Sequence, residues 1–170
     1  MHLQATSNTT PSTTLSNNPQ PAKHRFFNTP TLGTIVWSYF PHQEATEEGE
    51  EEPTRPKPRP ALVVGVAEDD GNPYVIVVPG TTKKTEPEHI YPSEMIIRKT
   101  DDDYTYTGLS HDTKFKFERE IKLPYSDEYF AIPRRKPSNP VAPTSPRLGI
   151  LPYSYGSAVC NAAANATKHQ

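Results

Sequence analysis

The chain has 170 residues, enough for one domain of ordinary size with a tail or two, but 20 prolines, 33% hydrophobic residues and a mean hydropathy of -0.75 exclude a core that uses its whole length. A formal net charge of -2, from 18 basic and 20 acidic residues, excludes a chain-wide polyanion-binding surface, so any nucleic-acid site must be local. One cysteine, Cys160, excludes an internal disulfide and a cysteine-cluster zinc site, and no run approaches the ~20 apolar residues of a membrane-spanning helix. With no basic and apolar leader in the opening MHLQATSNTT, the chain reads as soluble, unexported and cytoplasmic.

Residues 1–28 are dominated by Ser, Thr, Asn, Gln and Pro and are expected to be a disordered tail. Folded structure is expected from 29 to 133. It opens with GTIVWSYFP, a strand with Ile35, Trp37 and Tyr39 on one face and Val36 and Phe40 on the other, and burial on both faces predicts a central or barrel position. The segment from Gln43 to Pro60 joins an acidic run to alternating prolines, which fix φ and remove donors, so it is a long loop ending in a stiff RPKPRP connector. ALVVGVA (Ala61 to Ala67) and YVIVVP (Tyr74 to Pro79) are rich in β-branched residues and read as strands, with Glu68 to Asn72 turning the chain between them. In such a hairpin the two outer ends lie side by side. Arg59 precedes the first strand, and Thr81, Thr82, Lys83 and Lys84 follow the second, so these five residues should converge on one rim.

Beyond the hairpin, a short strand is expected from Glu94 to Lys99. Asp101, Asp102 and Asp103 are consecutive, so their side chains diverge and they read as a solvated turn and not as a metal site; His111 beside Asp112 has no second His-Asp set to complete one. DTKFKFEREIKLPY alternates cleanly. Phe115, Phe117, Ile121 and Leu123 fall on one face, Lys114 and Lys116 on the other, and Arg119 interrupts the apolar side, which predicts a bulge or bend that makes one strand into two. A last strand is expected over Glu128 to Ile132. Residues 134–151 form a Pro-rich linker, and 152–170 a helix capped by Ser154 or Ser157 with a frayed end. Five to seven short strands with almost no helix between them predict a mainly β domain, a small curled antiparallel sheet or barrel.

The ordered set GTIVWSYFP, KPRPALVV, YVIVVPGTT and GLSHDTKFKF followed by EIKLPY resembles the PemK/MazF family of toxin proteins over roughly residues 33–133. The resemblance implies an SH3-like small β-barrel with an appended C-terminal helix, in a homodimeric endoribonuclease. It also implies a growth-inhibiting toxin that cleaves single-stranded mRNA without metal or other cofactor and is neutralised by a cognate antitoxin protein. Arg59, followed by Pro60, matches the family's catalytic arginine. Thr81 matches its catalytic Thr or Ser, with Thr82 as the alternative, and Asp112 and Lys114 match a later segment.

Cleaving RNA through its own 2'-OH requires a proton acceptor, positive charge for the phosphorane oxygens and a proton for the leaving 5'-oxygen. Arg59 supplies the charge in a fork matched to phosphate and by resemblance also relays protons, although arginine is a poor base unaided. Thr81 can donate its hydroxyl to a non-bridging oxygen, Lys83 and Lys84 extend the phosphate track, and Trp37 or Tyr39 at a rim can stack bases. A simpler reading pairs Arg59 with Glu50, Glu51 or Glu52 in a surface salt bridge worth about 0–1 kcal/mol. Six glutamates between Glu44 and Glu52 lead into Arg59, where negative charge repels a polyanion. Either that loop is a gate that swings away, or the domain is a non-catalytic SH3-like module for binding protein.

Overall fold

The computed structural model describes residues 23–41 and 56–167; most of the expected tail, the acidic run and the last three residues lie outside them. In chain order the strands are β1 (Thr34–Ser38), β2 (Arg59–Asp69), β3 (Asn72–Thr81), β4 (Glu94–Ile97), β5 (Thr113–Lys116), β6 (Ile121–Pro124) and β7 (Arg147–Ile150), followed by one helix, α1 (Gly156–Ala166). The fold is mainly β. All pairings are antiparallel, in the order β4-β5-β3-β2-β1-β7 with β6 also on β3. The outer strands β4 and β7 do not pair with each other, so among the described residues the hydrogen-bonded sheet is open.

The hairpin forms where its residue chemistry puts it. β2 and β3 are longer than the apolar runs at their centres and are joined by Asp70 and Gly71 alone, whose φ values of 48° and 75° are the left-handed pair that a two-residue turn needs between right-twisted strands. Alternate residues of β1, β2 and β3 feed two separate cores. Ile35, Leu62 and Val78 meet Met95, Ile97, Phe115 and, from α1, Ala162 and Ala166. Val36, Val63 and Val77 meet Phe27, Leu123, Tyr125 and Phe130 on the opposite side. The two-sided burial expected of β1 is present, because the sheet is a wall covered on both faces.

The outer edge of β3 is shared by two strands. Val77 lies opposite Ile121 of β6, and three residues later Gly80 lies opposite Phe115 of β5, six residues back along the partner chain. The three surplus residues are a 3-10 turn, Phe117–Arg119, which is the break that Arg119 signalled. The turn also corrects the expected apolar face. Phe115 and Phe117 enter the core under α1, whereas Leu123 and Ile121 serve the opposite one.

Three further expectations are corrected. Glu128 to Ile132 is not a strand: it touches the end of β1 through a single bridge, Ser38 to Phe130, with Tyr39 N donating to Tyr129 O at 2.7 Å and Ala131 N to Trp37 O at 2.9 Å. β7 lies inside the segment read as a linker. It is held by backbone contact, since a Cβ on Gly108, whose φ is 68°, would collide with the Leu148 carbonyl, and one on Gly149 would collide with the carbonyls of Tyr106 and Thr107. α1 has no serine cap. Ser154 sits in a 3-10 turn (Tyr153–Tyr155) before the helix and donates to Asp103 at 2.8 Å, while Tyr155 donates to Asp101 at 2.6 Å, so two of the three turn aspartates tie the helix to the sheet. Burial and that Asp101 contact raise the Tyr155 phenol well above its ordinary range.

The same substitution should therefore act with opposite sign at two glycines. Gly149→Ala should lower the unfolding free energy by about 1–3 kcal/mol or more, because the new methyl meets backbone that cannot step aside. Gly156→Ala, at a helical position with nothing within 4 Å, should raise it by about 0.5–1 kcal/mol in the same urea titration.

Candidate functional site

Arg59 is the first residue of β2 and Thr81 the last of β3, and each is fixed by its ladder. Arg59 pairs with Ser38 of β1, and Thr81 with Lys114 of β5. The hairpin register reaches Ala61 opposite Pro79, and two more residues along it bring Arg59 level with Thr81. Between them the strands are too close for a side chain. A Cβ on Gly80 would lie 2.9 Å from the Pro60 carbonyl oxygen, 3.0 Å from the Thr113 methyl and 3.1 Å from the Phe115 ring. The glycine of the Pro-Gly-Thr-Thr sequence is what lets both ends meet.

Around that meeting point lies a groove of about 570 Å³, lined by Trp37, Pro58, Arg59, Pro60, Pro79, Gly80, Thr81, Thr82, Lys83, Lys84, Lys114, Lys116 and Arg119. Six of these are basic and, among the described residues, none is acidic, although the chain as a whole is slightly acidic. Seven of the eight site residues expected from sequence line it: Trp37, Arg59, Thr81, Thr82, Lys83, Lys84 and Lys114. Asp112 does not. Its carboxylate accepts from Lys99 N at 2.7 Å and lies 3.7 Å from Arg98, bracing the loop between β4 and β5.

The lining residues differ in what they offer. Thr81 Oγ1 accepts from Lys83 N–H at 3.2 Å, so its own hydrogen points elsewhere and is what it can donate to an anionic oxygen. Lys84 has a φ of 52°, a left-handed conformation uncommon for lysine, which turns the chain sharply just after the two threonines. Lys114 lies in a strand read as exposing it, yet its side chain is only 3% exposed. Its ammonium sits 2.9 Å from the Glu94 carboxylate, itself 2% exposed, donates to the His89 carbonyl at 2.6 Å and lies over the Tyr91 ring. Burial forced that pairing, since an unpaired ammonium there would be strongly destabilising. Lys114 thus braces the groove from below, with its charge already neutralised. Lys116 and Arg119 are the two groove cations that sequence reasoning did not place in the site. Their only signal was the strand alternation and the break at Arg119, and neither indicates which way the broken strand turns.

Residues 31–124, more than half of the chain, match the sequence model of a family described as the PemK-like, MazF-like toxin of type II toxin-antitoxin systems. The chain belongs to that family. Every residue lining the groove falls within the stretch matched to PemK-like toxins, whereas β7 and α1 lie beyond it. No individual curated protein matches the chain. Among the described residues of this PemK-like chain, no group of three His, Cys, Asp or Glu side chains is placed to hold a metal ion, and no helix is long and apolar enough to cross a membrane. The six glutamates before Arg59 lie outside the described residues.

Lys114→Met should lower stability by about 3–5 kcal/mol, as breaking one half of a buried pair leaves Glu94 charged and unpaired. Lys83→Met, on the exposed rim, should leave the unfolding midpoint unchanged in the same denaturant titration.

Proposed function

We propose that this chain is a growth-inhibiting toxin that cleaves single-stranded mRNA in the groove between Arg59 and Thr81, without a metal ion. The observation that carries the reading is the convergence of a guanidinium, two hydroxyls and further cations on one groove with no acidic side chain among the described lining residues, in a chain of the PemK-like toxin family. The ribose 2'-oxygen attacks the adjacent phosphorus. The 2'-OH proton leaves to water or through Arg59, the relay that the family resemblance implies, the 2'-O–P bond forms as the P–O5' bond breaks, and the departing O5' takes up a proton, leaving a 2',3'-cyclic phosphate and a 5'-hydroxyl.

Arg59 spans the non-bridging oxygens with two donors and gains most when the phosphorane carries its extra charge. Thr81 donates its hydroxyl to one of those oxygens, with Thr82 beside it, and Lys83 and Lys84 hold the flanking phosphates. Trp37 offers a ring on which a base stacks. The fold is read as the family's SH3-like barrel and the working particle as a cytoplasmic homodimer, neutralised by a cognate antitoxin protein.

Purified protein incubated with a long single-stranded RNA in EDTA should yield fragments ending in cyclic phosphate, identified by mass spectrometry. Arg59→Ala should slow cleavage by about 10²–10³-fold, and Thr81→Ala by less, since one of several donors is removed. Absence of cleavage by the unaltered protein, or cleavage indifferent to Arg59→Ala, would refute the reading and leave the non-catalytic interaction module in its place.

A further inference from the structure

A second cavity adjoins the groove at Trp37. Trp37, Pro60 and Thr82 also line this second pocket, of about 380 Å³, so the two cavities share a wall and lie side by side. The second pocket differs in character from the first. Leu109 and Leu148 give it an apolar floor, and His111, Arg134 and Lys136 stand exposed around it, with no acidic side chain among the described lining residues. An apolar surface with cations at its edge suits a nucleotide, whose base is flat and apolar on its faces and whose phosphate is anionic. Its volume falls in the ordinary range for small-ligand pockets, about 300–1,000 Å³.

The two cavities also differ in where their residues come from. The Arg59 groove lies wholly inside the stretch matched to the toxin family, but Arg134, Lys136 and Leu148 belong to the chain beyond it. The pocket exists because the segment after β6 returns past the end of β1 and because β7 is seated on Gly108 by two close glycine contacts, which place Leu148 next to Leu109.

We propose that this pocket is a second ribonucleotide subsite, which holds a nucleotide beside the cut. A base flanking the nucleotide held at Arg59 and Thr81 rests on Leu109 and Leu148, and its phosphate is held by Arg134 and Lys136. This inference rests on the RNA reading of the groove.

Fluorescein-labelled, uncleavable 2'-O-methyl oligonucleotides of increasing length, titrated by anisotropy into the full chain, test it. Affinity should rise once the strand is long enough to leave the Arg59 groove. Arg134→Ser/Lys136→Ser should weaken binding of a hexamer about tenfold and lower the slope of log K on log salt by about 1.4, the contribution of two phosphate contacts on a single strand. The loss should be absent for a dimer. Ser110→Trp, which fills the pocket without changing charge, should also abolish the gain with length. Arg135→Ser removes the same charge from a neighbour that lies outside the pocket and donates to the Pro140 carbonyl, and it should bind the hexamer as the unaltered chain does. Trp37 is the chain's only tryptophan, so its fluorescence reports occupancy of the shared wall directly. If both pocket variants bind the hexamer as tightly as the unaltered chain while Arg59→Ala does not, the subsite is refuted and the groove reading stands. If the unaltered chain neither binds nor cleaves single-stranded RNA, both fall.

Discussion

The fold and its groove depend on how closely three strands approach one another at Gly80. β3 is paired with β2 along one edge for most of its length, but its other edge passes from β6 to β5 near its end, and Gly80 sits where the Pro60 carbonyl, Thr113 and Phe115 all press in. Any side chain there would force the Pro60 carbonyl, Thr113 or Phe115 to shift, at the point where β3 passes to β5 and Arg59 lies near Thr81. The residues on either side of that point face outward from strand ends that are held on both sides. This is the rigid placement that a site needs if its donors are to be aimed before a ligand arrives.

Charge is distributed around that point in two layers. Below, Lys114 and Glu94 neutralise each other out of reach of water, and the pair connects β4 and β5 to the turn at His89. Above, Arg59, Lys83 and Lys84 stand near solvent with no carboxylate among the described lining residues. A chain with a net charge of -2 thereby carries a locally cationic groove, and interactions at such a surface weaken as salt rises. The buried pair is screened far less, so salt separates the part of the charge that serves structure from the part that serves a ligand.

Much of this was readable one residue at a time. The β-branched runs, the Asp-Gly turn and the Arg-Pro and Gly-Thr-Thr boundaries announce the hairpin and its rim, because strand propensity and turn chemistry are local. The break near Arg119 was readable for the same reason. What the alternation of Phe115, Phe117, Ile121 and Leu123 does not contain is the direction of the chain after a three-residue turn, and so four residues of equal parity divide between two cores. β7 has only four residues in a proline-rich stretch, and its seat is made by glycine contacts with a distant loop. Ser154, a plausible helix cap on its own, is taken by Asp103 from 51 residues away.

The sequence by itself determined the class of the fold, the hairpin and the residues at its two ends, since these follow from propensity, turn geometry and side-chain chemistry over short spans. Only the tertiary structure decided which cations reach the groove. Lys114 lines it with its charge already neutralised because burial forces it onto Glu94, whereas Lys116 is brought in because β5 pairs with the end of β3, and Arg119 because it ends the 3-10 turn that follows β5. It also decided that Asp112 braces a loop and that a second pocket adjoins the groove at Trp37. Those outcomes depend on where a side chain finds a partner or loses water, and neither is recorded in the order of residues along the chain.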